Sequence, residues 1–403
     1  MLKVLFVDDE PYVLEALRDM LRPFRHRWSL SFANGGPEAL DLLDRNTMDL
    51  VVTDMRMPGM DGAELLSTLK QRHPHIMRAV LTGQSDLRSA ERLLPVAQQM
   101  ILKPCDRGRL EDLLSRAERI RALLPEQTVR ACVGRIERLP PAPRVYATLV
   151  SAIEKGDTSA RDVAQIVAGE PAMAAKLLQL ANSSFFRLAR QISTVEEAVV
   201  HLGFLTVRNL VLSVEVFESA APLPAASELT VEGIREHALL VGRIATRICP
   251  PTLPTQVVFL AGLLHEIGLL VLGMGMPKET AAAIQHAADA HIPLVSAERE
   301  RLHATHAQAG GYMLGLWGLP LDLMEAVATH DDPWPEPRHM EPSLDLCTVT
   351  HFANALANGQ GSVSPRLPPA EHLDQALLAA LGLERHLDAW RTVAAEEAGR
   401  LRA

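Results

Sequence analysis

The sequence predicts two folds in tandem, a doubly wound five-stranded parallel α/β sheet followed by an all-α region. Two observations carry that expectation. Over the first 105 residues, short apolar runs alternate with segments of helical period, and after Pro104 helical periodicity continues with no convincing strand. Strands alternating with helices of this length form parallel crossover units. Strands covered on both faces read as continuous apolar runs, as these do.

The elements follow in order. Apolar runs at 3–7, 29–33, 50–53, 79–82 and 100–102 are the five strands, and helical spacing covers 11–21, 37–43, 62–70 and 87–94. Residues 107–135 carry leucines at helical spacing among Arg and Glu, an amphipathic helix broken or kinked at Pro125. Leu113, Leu114, Ile120, Leu123 and Leu124 offer either a homodimer seam or a packing face against the helical half, and the pattern leaves both open. Helical period then recurs over 158–182, 195–217, 231–248, 256–272, 277–291, 294–315, 319–330 and 343–357. Pro-rich breaks fall at 139–143, 221–224 and 250–254, and loops at 333–342 and 359–369. The predicted organisation is an α/β domain at 1–120, a helical linker at 121–135, an all-α domain at 136–358 and a helical extension at 359–403.

Composition narrows the function classes. The chain is 48% hydrophobic and 22% charged with a net charge of -9, ordinary for a globular protein and opposite to the basic face of a nucleic-acid binder. No basic recognition helix stands out, so direct DNA binding is not expected. No apolar run is read as reaching the ~18 residues of a membrane span, and the start MLKVLFVDDE lacks a signal peptide's basic region and cleavage site. Cys105, Cys132, Cys249 and Cys347 are scattered with no CxxC, which fits a reduced, cytoplasmic setting.

Strand-end carboxylates carry the chemistry of the first half. Asp8 and Asp9 end the first strand and Asp54 ends the third. In an open α/β sheet these ends meet at the topological switch point. Three crowded carboxylates call for a hard cation such as Mg²⁺. Lys103 and Thr82 end the fifth and fourth strands, a cation and a hydroxyl for phosphoryl oxygens. A nucleophilic carboxylate, a metal, a cation and a hydroxyl make a kit for moving a phosphoryl group onto an aspartate.

The stretches Val7-Asp8-Asp9-Glu10, Thr53 through Gly62 (TDMRMPGMDG), Leu81-Thr82-Gly83 and Lys103-Pro104 resemble the receiver domains of two-component response regulators. The resemblance implies a flavodoxin-like fold and Asp54 as phosphoacceptor. It implies Asp9 as a direct Mg²⁺ ligand, Asp8 helping through water, and Arg56 lending its backbone carbonyl. A cognate histidine kinase is the implied phosphodonor. Receivers often place an aromatic residue three before the lysine, where this chain has Met100.

The second half resembles the HDOD family, degenerate relatives of the HD phosphohydrolases. The matching stretches are LPPAP at 139–143, VAQIV at 163–167, EPAM at 170–173, KLLQLANS at 176–183, ISTVEEA at 192–198 and Leu202-Gly203. His265-Glu266 stands where that family has its HD doublet, with Glu for Asp. The resemblance implies His237, His306 and His330 as the remaining imidazoles of a vestigial HD-type site, one that would suit Fe, Mn or Zn if it holds a metal. Asn354 falls where active HD enzymes place a metal-binding aspartate, and Asp331 follows His330 where a second His is frequent. Three readings stay open: a vestigial polar core, a metal without hydrolysis, and an active phosphodiesterase.

The expectation is a response regulator whose Mg²⁺-dependent phosphorylation at Asp54 controls a non-enzymatic HDOD half that binds a protein partner. The alternative is a receiver-controlled, metal-dependent phosphodiesterase acting on a cyclic dinucleotide such as cyclic di-GMP, against which no GYP triplet follows His330.

Overall fold

The computed structural model describes residues 1–82, 96–135, 144–154, 158–168, 173–174, 177–178, 181, 192–219, 223, 229–333, 342–361, 366–367 and 370–402. The helix expected at 87–94, the breaks at 139–143 and most of 221–224, and much of the two loops lie outside the described residues. The chain divides into two compact units, one of residues 1–137 with 311–321, the other of 138–310 with 322–403.

The first unit holds a five-stranded sheet of β1 (Leu2–Val7), β2 (Trp28–Ala33), β3 (Leu50–Asp54), β4 (Met77–Thr82) and β5 (Gln99–Leu102). All neighbours are parallel, in the order β2-β1-β3-β4-β5. The crossover helices are α1 (Pro11–Leu21), α2 (Gly36–Arg45) and α3 (Gly62–Arg72). β1, β3 and β4 are buried on both faces, as their unbroken apolar runs require. The register pairs Val7 with Thr53 and Asp54 with Leu81, so the residues after β1 and at the end of β3 emerge at the same edge.

The amphipathic stretch is two helices, α4 (Arg107–Leu123) and α5 (Gln127–Arg135), parted at Pro125, whose ring forbids an uninterrupted helix. Leu113, Leu114, Ile120 and Leu124 are buried and Leu123 is half-buried. Gln99 Nε2 donates to Leu316 O at 3.1 Å and Arg116 donates to Leu319 O, which ties segment 311–321 into this unit.

The second unit is helical throughout its described residues: α6 (Arg144–Glu154), α7 (Ala160–Ala168), α8 (Val195–Leu202), α9 (Phe204–Ser219), α10 (Val231–Ile248), α11 (Thr255–Leu264), α12 (Ile267–Gly275), α13 (Pro277–Ala290), α14 (Leu294–Leu302), α15 (His306–Leu316, its end in the first unit), α16 (Leu321–Ala328), α17 (Leu346–Asn358), α18 (Gln375–Ala380) and α19 (Leu387–Arg402). Three stretches expected as single helices are split, at Gly203, at His265–Glu266 and at His303, the last with a left-handed backbone (φ 54°). Periodicity survives a short break in phase, so sequence spacing misses such joints. Thr255–Gly275 is long and apolar enough for a membrane span by composition, longer than the sequence reading allowed. Its most apolar 18-residue window is 89% buried inside the fold, and the His265–Glu266 break interrupts it.

α10 is the centre of this unit, buried from Ile234 to Ile248 on most of its positions. Its outer end is tied to α19 by Arg247, which donates to Glu396 at 2.7 Å and Glu397 at 2.9 Å.

Candidate functional site

Two clusters bring the predicted residues together, one in each unit. In the first, Asp54 ends β3 with one oxygen on Lys103 Nζ and the other accepting Arg56 N–H at 2.7 Å. Lys103 also reaches Asp8 Oδ2 at 3.4 Å. The Lys103 backbone N–H donates to Thr82 O at 2.8 Å, which holds β5 beside β4 at this edge. Asp8 and Thr82 are buried, and Asp9 is half-buried beside them. α3 begins close behind: a Cβ at Gly62 would lie 2.2 Å from Asp54 O, so only glycine lets the helix start here. An Asp61–Glu64 capping box fixes that start.

The electrostatics leave the edge short of positive charge. Burial pushes the Asp8 carboxyl above its ordinary range, with Asp54 adding to the rise and Lys103 opposing it. Burial works to lower the Lys103 ammonium, yet Asp54 and Asp8 outweigh it and hold it above its usual value. One lysine does not neutralise Asp8 and Asp54, and Asp9 stands next to them. That deficit fits an oxygen-liganded divalent cation such as Mg²⁺ at Asp8, Asp9, Asp54 and the Arg56 carbonyl.

The second cluster is buried and assembled from five places in the chain. His237 comes from α10, His265 and Glu266 from the α11–α12 break, His306 from the start of α15, His330 and Asp331 from just after α16, and Asn354 from α17. The break explains how adjacent residues both face inward: an unbroken helix would turn His265 and Glu266 ~100° apart. Gly268 then lets α12 lie directly on α15. A Cβ there would fall 1.8 Å from His306 O, so any larger residue would drive Glu266 and His306 apart.

The imidazoles are oriented by their outer nitrogens. His265 Nδ1 donates to Gly262 O at 2.7 Å and His330 Nδ1 to Val327 O at 2.8 Å. His306 Nδ1 donates to Glu298 Oε2 at 2.7 Å, and the same oxygen takes the His306 backbone N–H at 2.9 Å. Each therefore turns Nε2 inward. Glu266 lies between them, Oε1 3.7 Å from His265 Nε2 and Oε2 3.1 Å from His306 Nε2. Two triplets, His237–His265–Glu266 and Glu266–His306–His330, thus share one carboxylate with donor atoms within 4.8 Å of one another. His265 Nε2, Glu266 Oε2 and Asp331 Oδ2 are buried with no aligned hydrogen bond. Buried polar atoms are seldom left so, and bound cations are one way of satisfying them.

Without an ion the charges sort themselves. Burial pushes the His265 imidazole down to about 3 and lowers His237 as well. Burial would also lower His306, but Glu298 and Glu266 outweigh it and raise it well above its usual value. Burial would raise Glu266, but His306 holds it well below the carboxylate range. The donor set of imidazoles and carboxylates suits Fe, Mn or Zn.

A cavity of about 240 Å³ opens onto this cluster, lined by Glu266, His306, Asp331, Asn354, His351 and His291 among others. Sequence reasoning missed Glu298, Asp331 and His351 as parts of the site. Asp331 is legible as a carboxylate adjoining a ligand-type histidine. Glu298 lies eight residues before His306 on another helix and carries no local signal.

Comparison with known proteins places both units. Residues 4–115 match the response regulator receiver domain family and residues 139–333 the HDOD domain family. The chain is 38% identical over 120 residues to response regulator protein PilR of Pseudomonas aeruginosa, covering 30% of this chain and 26% of that one. It is 34% identical over 115 residues to response regulator protein FleR of the same organism, 28% and 24% of the two chains. It thus spans about a quarter of the length of these curated relatives. An HDOD domain protein of unknown function from Geobacter sulfurreducens shares the fold, with a TM-score of 0.52 and 19% identity over 72% of this chain and 98% of that one.

Proposed function

From the premise that this chain belongs to the response regulators, a receiver domain joined to an HDOD domain, we propose that phosphorylation of Asp54 controls the HDOD unit and that this unit acts by binding another protein. The observation that carries the reading is the Asp8–Lys103–Asp54 arrangement at the switch point of a parallel sheet. A histidine kinase supplies the phosphoryl group. An Asp54 oxygen forms the new P–O bond while the P–N bond to the donor imidazole breaks, and that imidazole leaves with the electron pair. Lys103 faces the incoming phosphoryl oxygens, and Mg²⁺ supplies charge neutralisation when bound. The acidic total charge supports a protein partner over DNA.

Hydrogen exchange tests the control. With Mg²⁺ and a small phosphodonor, amide exchange across residues 138–403 changes in the wild-type chain and stays constant in Asp54→Asn. Identical exchange in both proteins would show that the HDOD unit does not respond.

A second reading, metal-dependent hydrolysis of a cyclic dinucleotide, is favoured by the shared Glu266 and the adjoining cavity. His237, His265, Glu266, His306 and His330 would hold the metal, which would supply Lewis acidity and an activated water. Against it, Glu266 reaches one methylene further than the aspartate of active enzymes, and a misplacement of about 1 Å costs ~10²-fold in rate. The full chain is incubated with cyclic di-GMP and Mn²⁺, Fe²⁺ or Mg²⁺ in turn. The expected result is no enzymatic turnover, and turnover that vanishes in His265→Ala would promote the second reading.

A further inference from the structure

The metal half of the proposed function raises a question of charge, because the neutral Asn354 occupies the position of an expected carboxylate. We propose that Asp331 replaces that missing carboxylate, and that a divalent transition metal binds to His306, His330, Asp331 and Glu266. This inference rests on the reading of the histidine cluster as a metal site.

Asn354 is not free to act as a ligand. Its Oδ1 accepts from His237 Nε2 at 3.0 Å and from Asn358 Nδ2 at 3.1 Å, which uses both lone pairs. Its amide nitrogen is a donor and points toward Asp331 Oδ1 at 3.5 Å. The residue is a hydrogen-bonding hub between α10 and α17.

Asp331 has the opposite character. Its Oδ2 is buried, forms no hydrogen bond, and lies 3.3 Å from His306 Nε2 and 3.5 Å from His330 Nε2. Those two nitrogens are themselves 3.3 Å apart. Glu266 Oε2, also without an aligned hydrogen bond, is 3.1 Å from His306 Nε2. Donors that share one ion at ~2.1 Å stand roughly 3.0–3.4 Å from each other in octahedral or tetrahedral arrangements. Four of the six separations among these atoms fall at 3.1–3.5 Å, close to the spacing of ligands on one ion. Two of them are carboxylates, enough to match a dication. Behind them Glu298 holds His306 by Nδ1, the outer-shell arrangement that keeps a metal-binding nitrogen pointed inward. The other half, His237 and His265, has only Glu266 for charge, and His237 spends Nε2 on Asn354.

Asp331 could instead serve only as a counter-ion to a protonated His306. Removing its charge would then lower stability and leave metal affinity alone.

The test uses the full chain, stripped of transition metal and held in excess Mg²⁺ to occupy the receiver carboxylates. Co²⁺ is titrated in, and the visible bands of imidazole-ligated Co²⁺ report binding. Asp331→Asn is expected to weaken Co²⁺ binding by at least about 10-fold, the loss seen when even an outer-shell partner is removed. Asp388→Asn, on the exposed face of α19, is expected to leave affinity unchanged. Adding Asn354→Asp to Asp331→Asn restores binding, because the charge returns to the same cavity wall. Urea unfolding of each variant confirms that it folds. Should Asp331→Asn fold poorly, a change of the Co²⁺ bands in Asp331→Glu carries the decision. Undiminished Co²⁺ affinity in a folded Asp331→Asn overturns the ligand assignment alone. A wild-type chain with no imidazole-ligated Co²⁺ overturns the metal reading and the assignment with it.

Discussion

The two clusters solve the same problem, negative charge held out of water, in opposite ways. At the receiver edge the carboxylates sit at strand ends with solvent beside them, and the chain supplies its own cation in Lys103, whose side chain is 35% exposed. In the helical unit Glu266 and Glu298 are sealed in, and the local cation is a protonated His306. A lysine at a partly solvated edge can move aside for a phosphoryl group. Removing one partner of a buried imidazolium–carboxylate pair costs ~3–5 kcal/mol. The difference is one of surroundings: the first cluster's cation stands at a partly solvated edge and the second's is enclosed, so loss of a charge partner weighs more in the second.

The sharpest break of that comparison is at Asp54. Asp54→Asn should abolish formation of the acid-stable, base-labile acyl phosphate with Mg²⁺ and a small phosphodonor, while the urea transition of the helical unit stays where it was. Undiminished labelling would transfer the acceptor role to another carboxylate.

The second cluster should break through packing. Gly268→Val places side-chain atoms where His306 O already lies, so a loss of ~3 kcal/mol or more is expected from overpacking, read by urea unfolding. Gly399→Ala, in exposed helix with nothing within 4 Å, should instead gain ~0.5–1 kcal/mol. Equal effects at the two positions would mean that α12 and α15 are not in close contact.

Metal removal sharpens the contrast further. If the helical cluster retains an ion at ~100 times its dissociation constant, chelating transition metals while keeping Mg²⁺ lowers the stability of the helical unit by ~2.7 kcal/mol. The receiver's phosphorylation should not change. A helical unit that ignores the chelator would make the cluster a polar core with no ion.

The smallest effect concerns protons. His351 donates by Nδ1 to His330 O at 2.8 Å and accepts Asp374 N–H on Nε2 at 3.2 Å, so it is held neutral. Burial lowers its affinity for a proton below the ordinary imidazole value. The unfolded chain then binds more protons near and below ~6.5, so this stabilisation is complete above that pH and is lost as pH falls. His351→Gln should flatten the decline of the urea midpoint between pH 7 and pH 5. A parallel decline in both proteins would assign the acid sensitivity to other groups.

Much of this molecule was determined locally. Continuous apolar runs fixed the parallel sheet, because strands buried on both faces have no polar face to alternate with. Asp8, Asp54 and Lys103 were legible for the same reason: strand ends in such a sheet must converge at one edge. The histidines and Glu266 were legible as residue types at suggestive places, and the Pro125 break follows from proline itself.

Tertiary structure alone decided the rest. Whether 256–272 is one helix or two depends on His265 and Glu266 both turning inward, a choice that packing imposes and periodicity cannot report. Glu298 joins the cluster from α14 because the left-handed turn at His303 folds that helix back toward His306. Asn354 read as a lost ligand, and Asp331 as a departure from a histidine pair. Only the three-dimensional arrangement puts the unpaired Asp331 oxygen beside His306 and His330 while both lone pairs of Asn354 are taken. Charge balance in a buried site is a property of everything within a few ångströms, and those neighbours come from six separate parts of the chain.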